Sequence, residues 1–450
     1  MERLSPVLTA EALVAAVAPT ALTVGTAAPP STATTTDQPK RQAVEPLVVA
    51  HRGASGYRPE HTLAAYELAA RMGADFIEPD LVSTKDGVLV ARHEPEISET
   101  TDVAERPEFA SRRTTKSIDG RPVTGWFTTD FTLAELKTLR AKERLPQVRQ
   151  ESTMWDDRFE VPTFDEVLEL RERLSKELRR DIGVYPETKH PTFFDEAGLD
   201  LEAKVADAVR RHHLDRRNAP IFIQSFELSN LFELRDEHGI RAPLVFLVTS
   251  GAPYDLVAKG DPRSYRDLIQ RDSLLELGKT INGIGPEKSL VIPRNSDGTL
   301  GSPTGLVADA HAAGLKVHPW TFRAENTFLP AELRTGADPT AFGRALEEQV
   351  TFLETGIDGL FTDQADVGIA PDRDRGPRLA GTGRAFPPDR DRGPQPAPAG
   401  MTHAWGQPAS QSVPNSIAAR SSASSWASTS TAAGLAEIAT APPGESSPTN

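Results

Sequence analysis

Short apolar, β-branched runs recur through the middle of the chain. They alternate with stretches in which apolar positions return every three or four residues. The runs are LVVA (47–50), DFIEP (75–79), IGVYPE (182–187), IFIQS (221–225), PLVFLV (243–248), INGIG (281–285), LKVHPW (315–320) and IDGLFT (357–362). Runs this short and this apolar read as strands buried on both faces. Between them, Thr163-Phe-Asp-Glu166 is a capping box, and Val167, Leu170, Leu174 and Leu178 then fall on one helical face. Leu63, Tyr66 and Ala70 form the inner stripe of the first predicted helix. Thr304 opens a later helix, and Gly314 sits where a C-terminal cap belongs. Eight strands alternating with helices predict an α/β fold closed as a (β/α)8 TIM barrel, with an open doubly wound sheet as the competing arrangement. One connection breaks the rhythm. After the second strand, an insertion from about residue 94 to 162 holds only short elements, among them the capping box Thr132-Leu-Ala-Glu135. A loop that long inside a compact domain is usually functional, and on a barrel it would cover the catalytic face.

Both ends depart from this pattern, so the barrel is predicted over residues 46–370. Residues 1–30 are rich in Ala, Leu and Val, with Arg3 near the start and Thr26-Ala27-Ala28 near the end. That is the outline of an export signal, although Glu2, Glu11 and Pro19 interrupt it, and the same interruptions argue against a stable membrane span. Residues 31–45 read as a linker. PDRDRGP occurs at 371–377 and again at 388–394, and residues 395–450 are rich in Ser, Ala, Pro and Thr. Such a segment buries too little apolar surface to offset chain entropy, so 371–450 is predicted to be a disordered tail. The expected location is extracellular or periplasmic, at the cell envelope. Composition narrows the function. The 50 Lys and Arg against 64 Asp and Glu leave a net charge of −14 over 450 residues, which argues against a nucleic-acid binder. Cysteine is absent, which excludes a disulfide framework, a thiolate nucleophile and Cys-bound zinc.

Polar residues fall at one place in the predicted strands. His51 and Arg52 end the first, Glu78 and Asp80 the second, Glu187 and Lys189 the third, Gln224 the fourth, Trp320 the seventh and Asp363 the eighth. In a barrel these ends converge on one mouth. Glu78-Pro79-Asp80 has period-two spacing, which puts both carboxylates on one face of a strand, and Glu187 adds a third from the neighbouring strand. Three oxygen ligands without a thiolate suit one hard divalent cation, Ca²⁺ or Mg²⁺. Pro79 suggests that the strand is ending there. His51 and His93 are the acid–base candidates, because imidazole can take and give a proton near neutral pH. Arg52 and Lys189 suit phosphate oxygens. Gly53, Ser55 and Gly56 make a loop where backbone can approach a ligand. His61 and His318 are expected beside the site; His212, His213, His238, His311 and His403 read as structural. Taken singly, each acid reads as a solvated loop residue and each histidine as a structural one; their coincidence at strand ends points to one site.

These residues carry a resemblance. HRGASGYRPEHTLAAYELAARMGADFIEPDL (51–81) closely resembles the opening signature of the glycerophosphodiester phosphodiesterases. RHEPEISETTDVA (92–104), PETK (186–189), QSF (224–226), HPWT (318–321) and TD (362–363) follow in that family's order. The resemblance implies a barrel enzyme that hydrolyses a small-molecule glycerophosphodiester to glycerol 3-phosphate and an alcohol. It implies His51 and His93 as general acid and base, and Glu78, Asp80 and Glu187 as ligands of one divalent cation. It also implies Arg52 and Lys189 near the phosphate, with Glu60, Gln224 and Trp320 lining or holding the substrate site. One residue departs from the family pattern: Glu94 stands after His93 where members commonly have Asp. Two alternatives accompany this reading. One is a phospholipase D-like enzyme acting on lipid head groups, with Trp126, Phe127 and Trp155 touching lipid. The other is a catalytically inactive surface or binding protein.

Overall fold

The computed structural model describes residues 45–368. The export segment predicted at 1–30, all but the last residue of the 31–45 linker, and the 371–450 tail lie outside the described residues. Eight parallel staves are present: β1 (Leu47–His51), β2 (Phe76–Glu78, continuing as Asp80–Ser83), β3 (Gly183–Val184, continuing as Glu187–Thr188), β4 (Ile223–Ser225), β5 (Leu244–Val248), β6 (Gly283–Pro286), β7 (Lys316–Val317) and β8 (Gly359–Thr362). Each pairs with the next, and β1 pairs with both β2 (His51 opposite Glu78) and β8 (Leu47 opposite Gly359). The seam between β7 and β8 closes through Asp358 N–H to Val317 O at 2.9 Å, Phe361 N–H to Pro319 O at 3.0 Å and a parallel bridge from Phe322 to Thr362. That closure makes the sheet a barrel and excludes the doubly wound alternative.

Pro79 does not end the second strand, as the sequence suggested. Proline removes one donor from the ladder but keeps its carbonyl, and Glu187 N–H donates to Pro79 O at 2.9 Å. The strand therefore skips one bond and resumes at Asp80, opposite Glu187.

The barrel interior is filled by Val49, Phe76, Tyr185, Val245 and Phe361. His318 belongs to this packing and not to the site's surroundings: it bonds Tyr185 Oη at 2.9 Å and meets the rings of Tyr185 and Phe222 edge-on. Helices cover the outside. In α1 (Leu63–Met72), Ala65, Tyr66, Ala69 and Ala70 are buried. Leu63, expected on that stripe, is 36% exposed. At 100° per residue the buried positions centre about 90° around the helix from it. In α2 (Phe164–Leu178) the capping box forms and Val167, Leu170 and Leu174 are buried, with Leu178 only partly covered. In α3 (Leu306–Ala312) Gly305, not Thr304, is the N-cap; the Thr304 hydroxyl donates to Leu290 O at 2.7 Å instead.

The insertion between His93 and Thr163 packs into the same hydrophobic cluster as the helices around the barrel. A hairpin of Thr114–Ile118 and Arg121–Gly125 stands beside buried Phe109, Trp126, Phe127, Phe131 and Leu136. Trp126 Nε1–H donates to Phe109 O at 2.7 Å, and the Arg112 guanidinium lies over the Phe109 and Phe131 rings. Trp126 and Phe127 are thus internal, and Trp155 stacks on Phe159 with Arg58 over its ring at 3.8 Å, so none of the three is a free lipid-facing aromatic. Among the described residues no helix is long and apolar enough to cross a membrane.

Leu174 is fully buried on α2, in the seam against α1 and the barrel. Leu174→Ala is expected to destabilise the fold by about 2–5 kcal/mol, read as a lowered urea midpoint with an unchanged slope.

Candidate active site

The site starts from the register of β1, β2, β3 and β4. His51 lies opposite Glu78, Asp80 opposite Glu187, and Glu187 opposite Gln224. One oxygen from each of Glu78, Asp80 and Glu187 lies within 4.8 Å of the others, and all three side chains are buried. Gln224 Nε2–H donates to Glu78 Oε1 at 3.0 Å, and the Arg52 backbone N–H donates to Glu78 Oε2 at 2.7 Å. Arg52 makes that bond from a left-handed conformation, φ 58°. Asp80 Oδ2 is bonded by His61 Nε2 at 2.8 Å, whose Nδ1 meets Tyr66 Oη at 2.8 Å, while Asp80 Oδ1 is buried without a partner. Glu187 pairs with Lys189 at 2.8 Å. The nearby glycines serve packing, not ligand approach: at Gly53 (φ 88°) a Cβ would meet Ala65 at 2.8 Å, and at Gly56 it would meet Gln364 at 2.5 Å.

The electrostatics are those of carboxylates forced together. Burial and the neighbouring charges of Asp80 and Glu187 push Glu78 well above the ordinary carboxylate range. Burial pushes Glu187 up to about 8, against the pull of Lys189. For Asp80 burial works in the same direction but is outweighed by Lys189 and His61, which hold it well below the usual value. Three converging oxygens, an unpartnered buried Asp80 Oδ1 and mutual repulsion are what a divalent cation would relieve, so this donor set fits one. Two further acidic groups, Asp200 with Glu233 and His238, and Asp195 with Asp200 and Glu202, also cluster. None of their members lines the cavity that holds His51 and His93.

Two imidazoles flank the carboxylates. His51 Nδ1 is 2.6 Å from Asp363 Oδ1, at the end of β8. Asp363 is held ionised, well below its usual range despite burial, by Arg323 and Arg149. It can only accept, so the His51 proton sits on Nδ1 and Nε2 carries the lone pair. Burial and the adjacent Arg52 lower His51 to about 4. His93 follows the short strand Leu89–Ala91, which pairs antiparallel with β2. Its Nδ1 bonds Glu94, and its Nε2 lies 3.3 Å from Lys189 Nζ. Burial, with Arg52 and Lys189, lowers it well below the normal value. The Glu that replaces Asp after His93 therefore keeps a contact with the imidazole. Glu60 pairs with Arg52 at 3.0 Å. Trp320 Nε1–H donates to Gly285 O at 2.7 Å, which sets its ring edge-on to Phe226.

A cavity of about 1200 Å³ is lined by His51, Arg52, Glu78, His93, Glu187, Lys189, Gln224 and Trp320. Glu60 and Asp80 stand behind that lining, in contact with Arg52. All ten residues expected from the sequence are thus brought together. The sequence reading missed Arg144, Arg149, Arg323 and Glu325. Each acts through partners tens to hundreds of residues away, and no spacing along the chain signals them.

The glycerophosphoryl diester phosphodiesterase family model matches residues 51–367. A glycerophosphodiester phosphodiesterase of Arabidopsis thaliana is 37% identical over 334 residues, 72% of this chain and 84% of that protein. One from Haemophilus influenzae is 28% identical over 345 residues, 72% of this chain and 88% of its own length. A crystal structure from Silicibacter pomeroyi assigned to glycerophosphoryl diester phosphodiesterases shares the fold, with a TM-score of 0.52 and 22% identity over 74% of this chain and 94% of that one.

A cation that binds the folded chain stabilises it by about 2.7 kcal/mol at a hundredfold excess over its Kd. Divalent cation is therefore expected to raise the melting temperature of the wild-type protein, and Glu187→Gln to abolish most of that rise in calorimetric scans with and without EDTA.

Proposed function

The chain belongs to the glycerophosphoryl diester phosphodiesterase family, and from this we propose that it hydrolyses glycerophosphodiesters to glycerol 3-phosphate and an alcohol at the cavity described above. The observation that carries the residue assignment is the meeting of two imidazoles, an arginine, a lysine and Glu78 and Glu187 on one cavity, with Asp80 converging on the two acids from just behind it.

Glu78, Asp80 and Glu187 would hold the divalent cation, Ca²⁺ or Mg²⁺. When bound, it supplies neutralisation of charge developing on the phosphoryl oxygens. The protein's own groups do the rest. Arg52 and Lys189 stand beside the acids and face the cavity, where they would pair with the remaining phosphate oxygens. His51 and His93 are each fixed with Nδ1 against a carboxylate, which turns Nε2 toward the cavity; Nε2 of His93 there faces Lys189 Nζ at 3.3 Å, and both Nε2 atoms would exchange protons with the substrate. One takes the proton of the nucleophile and the other delivers a proton to the leaving alcohol. Gln224 holds Glu78, Glu60 holds Arg52, and Trp320 with Phe226 forms an apolar wall for the alcohol.

The internal placement of Trp126 and Phe127 supports a small soluble diester over a lipid surface as substrate. We also propose export to the cell envelope or beyond, on the composition of residues 1–30. The mature N-terminus is then expected beyond about residue 28, which N-terminal sequencing of protein recovered from its native compartment would check.

Glycerol 3-phosphate release from glycerophosphodiesters is expected to stop in EDTA and to return with added divalent cation. His51→Ala and His93→Ala should each lower kcat by about 10²–10⁴-fold. Full turnover in chelator would refute the three-carboxylate assignment, and full turnover in either histidine variant would refute the acid–base assignment.

A further inference from the structure

Each of the two histidines bonds a carboxylate that an arginine of the insertion also bonds. Residues 142–149 of the insertion contain a turn at 146–148. Leu145 N–H is held by Glu143 at 2.8 Å, Glu143 N–H by Asp156 at 2.7 Å, and Arg149 N–H by Leu145 O at 2.8 Å. Two arginines five residues apart leave this segment in different directions. Arg149, with its side chain 6% exposed, donates from Nη2 to Asp363 Oδ2 at 2.6 Å, from Nε to Glu325 Oε1 at 2.6 Å and from Nη1 to Ser55 O at 3.0 Å. Arg323 shares Asp363 Oδ2 at 2.8 Å, so the other carboxylate oxygen is left to His51 Nδ1. Arg144 donates to both oxygens of Glu94, at 3.0 and 2.6 Å, and to both oxygens of Glu60, at 2.7 and 2.6 Å. Glu94 in turn faces His93 Nδ1.

We propose that Arg144 and Arg149 are positioning residues, each pinning the carboxylate that sets the tautomer and ring plane of one histidine. The insertion is on this view part of the acid–base apparatus and not only a cover over the cavity. Glu94 is gripped by the Arg144 fork and Asp363 by single bonds from Arg149 and Arg323 to one oxygen; a carboxylate so held has one geometry, and an imidazole bonded to it inherits that geometry. Without these arginines, Asp363 and Glu94 keep their charge but gain freedom, and Nε2 loses its fixed aim at the reacting atoms. The two links are separate: Arg149 reaches His51 through Asp363, and Arg144 reaches His93 through Glu94. The assignment rests on the phosphodiesterase reading for its catalytic consequence, though not for its spectroscopic one.

The test compares Arg144→Gln, Arg149→Gln and, as a control in the same insertion, Arg112→Gln, which breaks an ion pair with Glu135 away from the cavity. Arg144→Gln and Arg149→Gln should each lower kcat by about 10–100-fold, with Arg149→Gln leaving KM near the wild-type value, while Arg112→Gln leaves kcat unchanged. Proton NMR of the low-field imidazole N–H signals gives the second readout. Arg149→Gln should shift or broaden the His51 signal alone, and Arg144→Gln the His93 signal alone. Should Arg149→Gln fail to fold, Arg149→Lys, which keeps the charge but not the three directed bonds to Asp363, Glu325 and Ser55, should reproduce its effect. Wild-type kcat in the folded variants, or unmoved imidazole signals, would overturn the proposal. A wild-type protein that releases no glycerol 3-phosphate would refute the phosphodiesterase reading, and the imidazole signals would still decide whether the arginines position the rings.

Discussion

Three buried carboxylates are held against one another by strand register, and most features of the mouth follow from that constraint. Parallel pairing sets Asp80 beside Glu187, and period-two spacing sets Glu78 on the same face as Asp80. Without neutralisation this arrangement is unfavourable, because burial and mutual repulsion both oppose ionisation. The protein answers with donors fixed from several directions: the Arg52 backbone and Gln224 on Glu78, His61 on Asp80, Lys189 on Glu187. It still leaves Asp80 Oδ1 without a partner. A donor set so nearly but not fully satisfied is organised for a cation, and it destabilises the fold in proportion to that readiness.

The histidines obey a related logic. Burial and Arg52, joined at His93 by Lys189, disfavour the charged imidazolium, which leaves one ring free to act as base and makes a proton carried by the other easy to give up. Neutral rings have two tautomers, and only one aims a lone pair at the cavity. Asp363 and Glu94 select it by accepting from Nδ1; both stay ionised despite burial, Asp363 beside Arg323 and Arg149 and Glu94 beside His93 and Arg144. The positive charge near the phosphate site and the negative charge behind the imidazoles are thus parts of one alternating chain: Arg52, Glu60, Arg144, Glu94, His93.

The barrel and its polar mouth were legible in the sequence because both depend on local pattern. Short apolar runs ending in His, Glu, Lys or Gln need no tertiary knowledge to be read as strand ends. What escaped was whatever depended on contacts between distant segments. His318 looked like a neighbour of the site because HPWT ends a strand, yet one step along the stave turns its ring into the interior against Tyr185. Leu63 matched a helical period but lies at the flank of the buried stripe. Pro79 carried a true local rule, loss of a donor, whose consequence was only a skipped bond. Arg149 is separated from Asp363 by 214 residues, and no periodicity spans that distance.

Glu94 shows why a longer side chain at that position is compatible with the same chemistry. It must meet the ring of the residue immediately before it and also a guanidinium arriving from residue 144. Its carboxylate does both, with one oxygen shared between His93 and Arg144 and the other given wholly to Arg144. The extra methylene relative to Asp moves the carboxylate outward, toward the insertion, so reach at position 94 and the presence of an arginine at position 144 are coupled demands. Shortening the acid while keeping the arginine would stretch one of the two contacts, and the imidazole would then be oriented by whichever bond survived. The mouth of this barrel is therefore specified jointly by strand ends and insertion, and neither alone determines where the two lone pairs point.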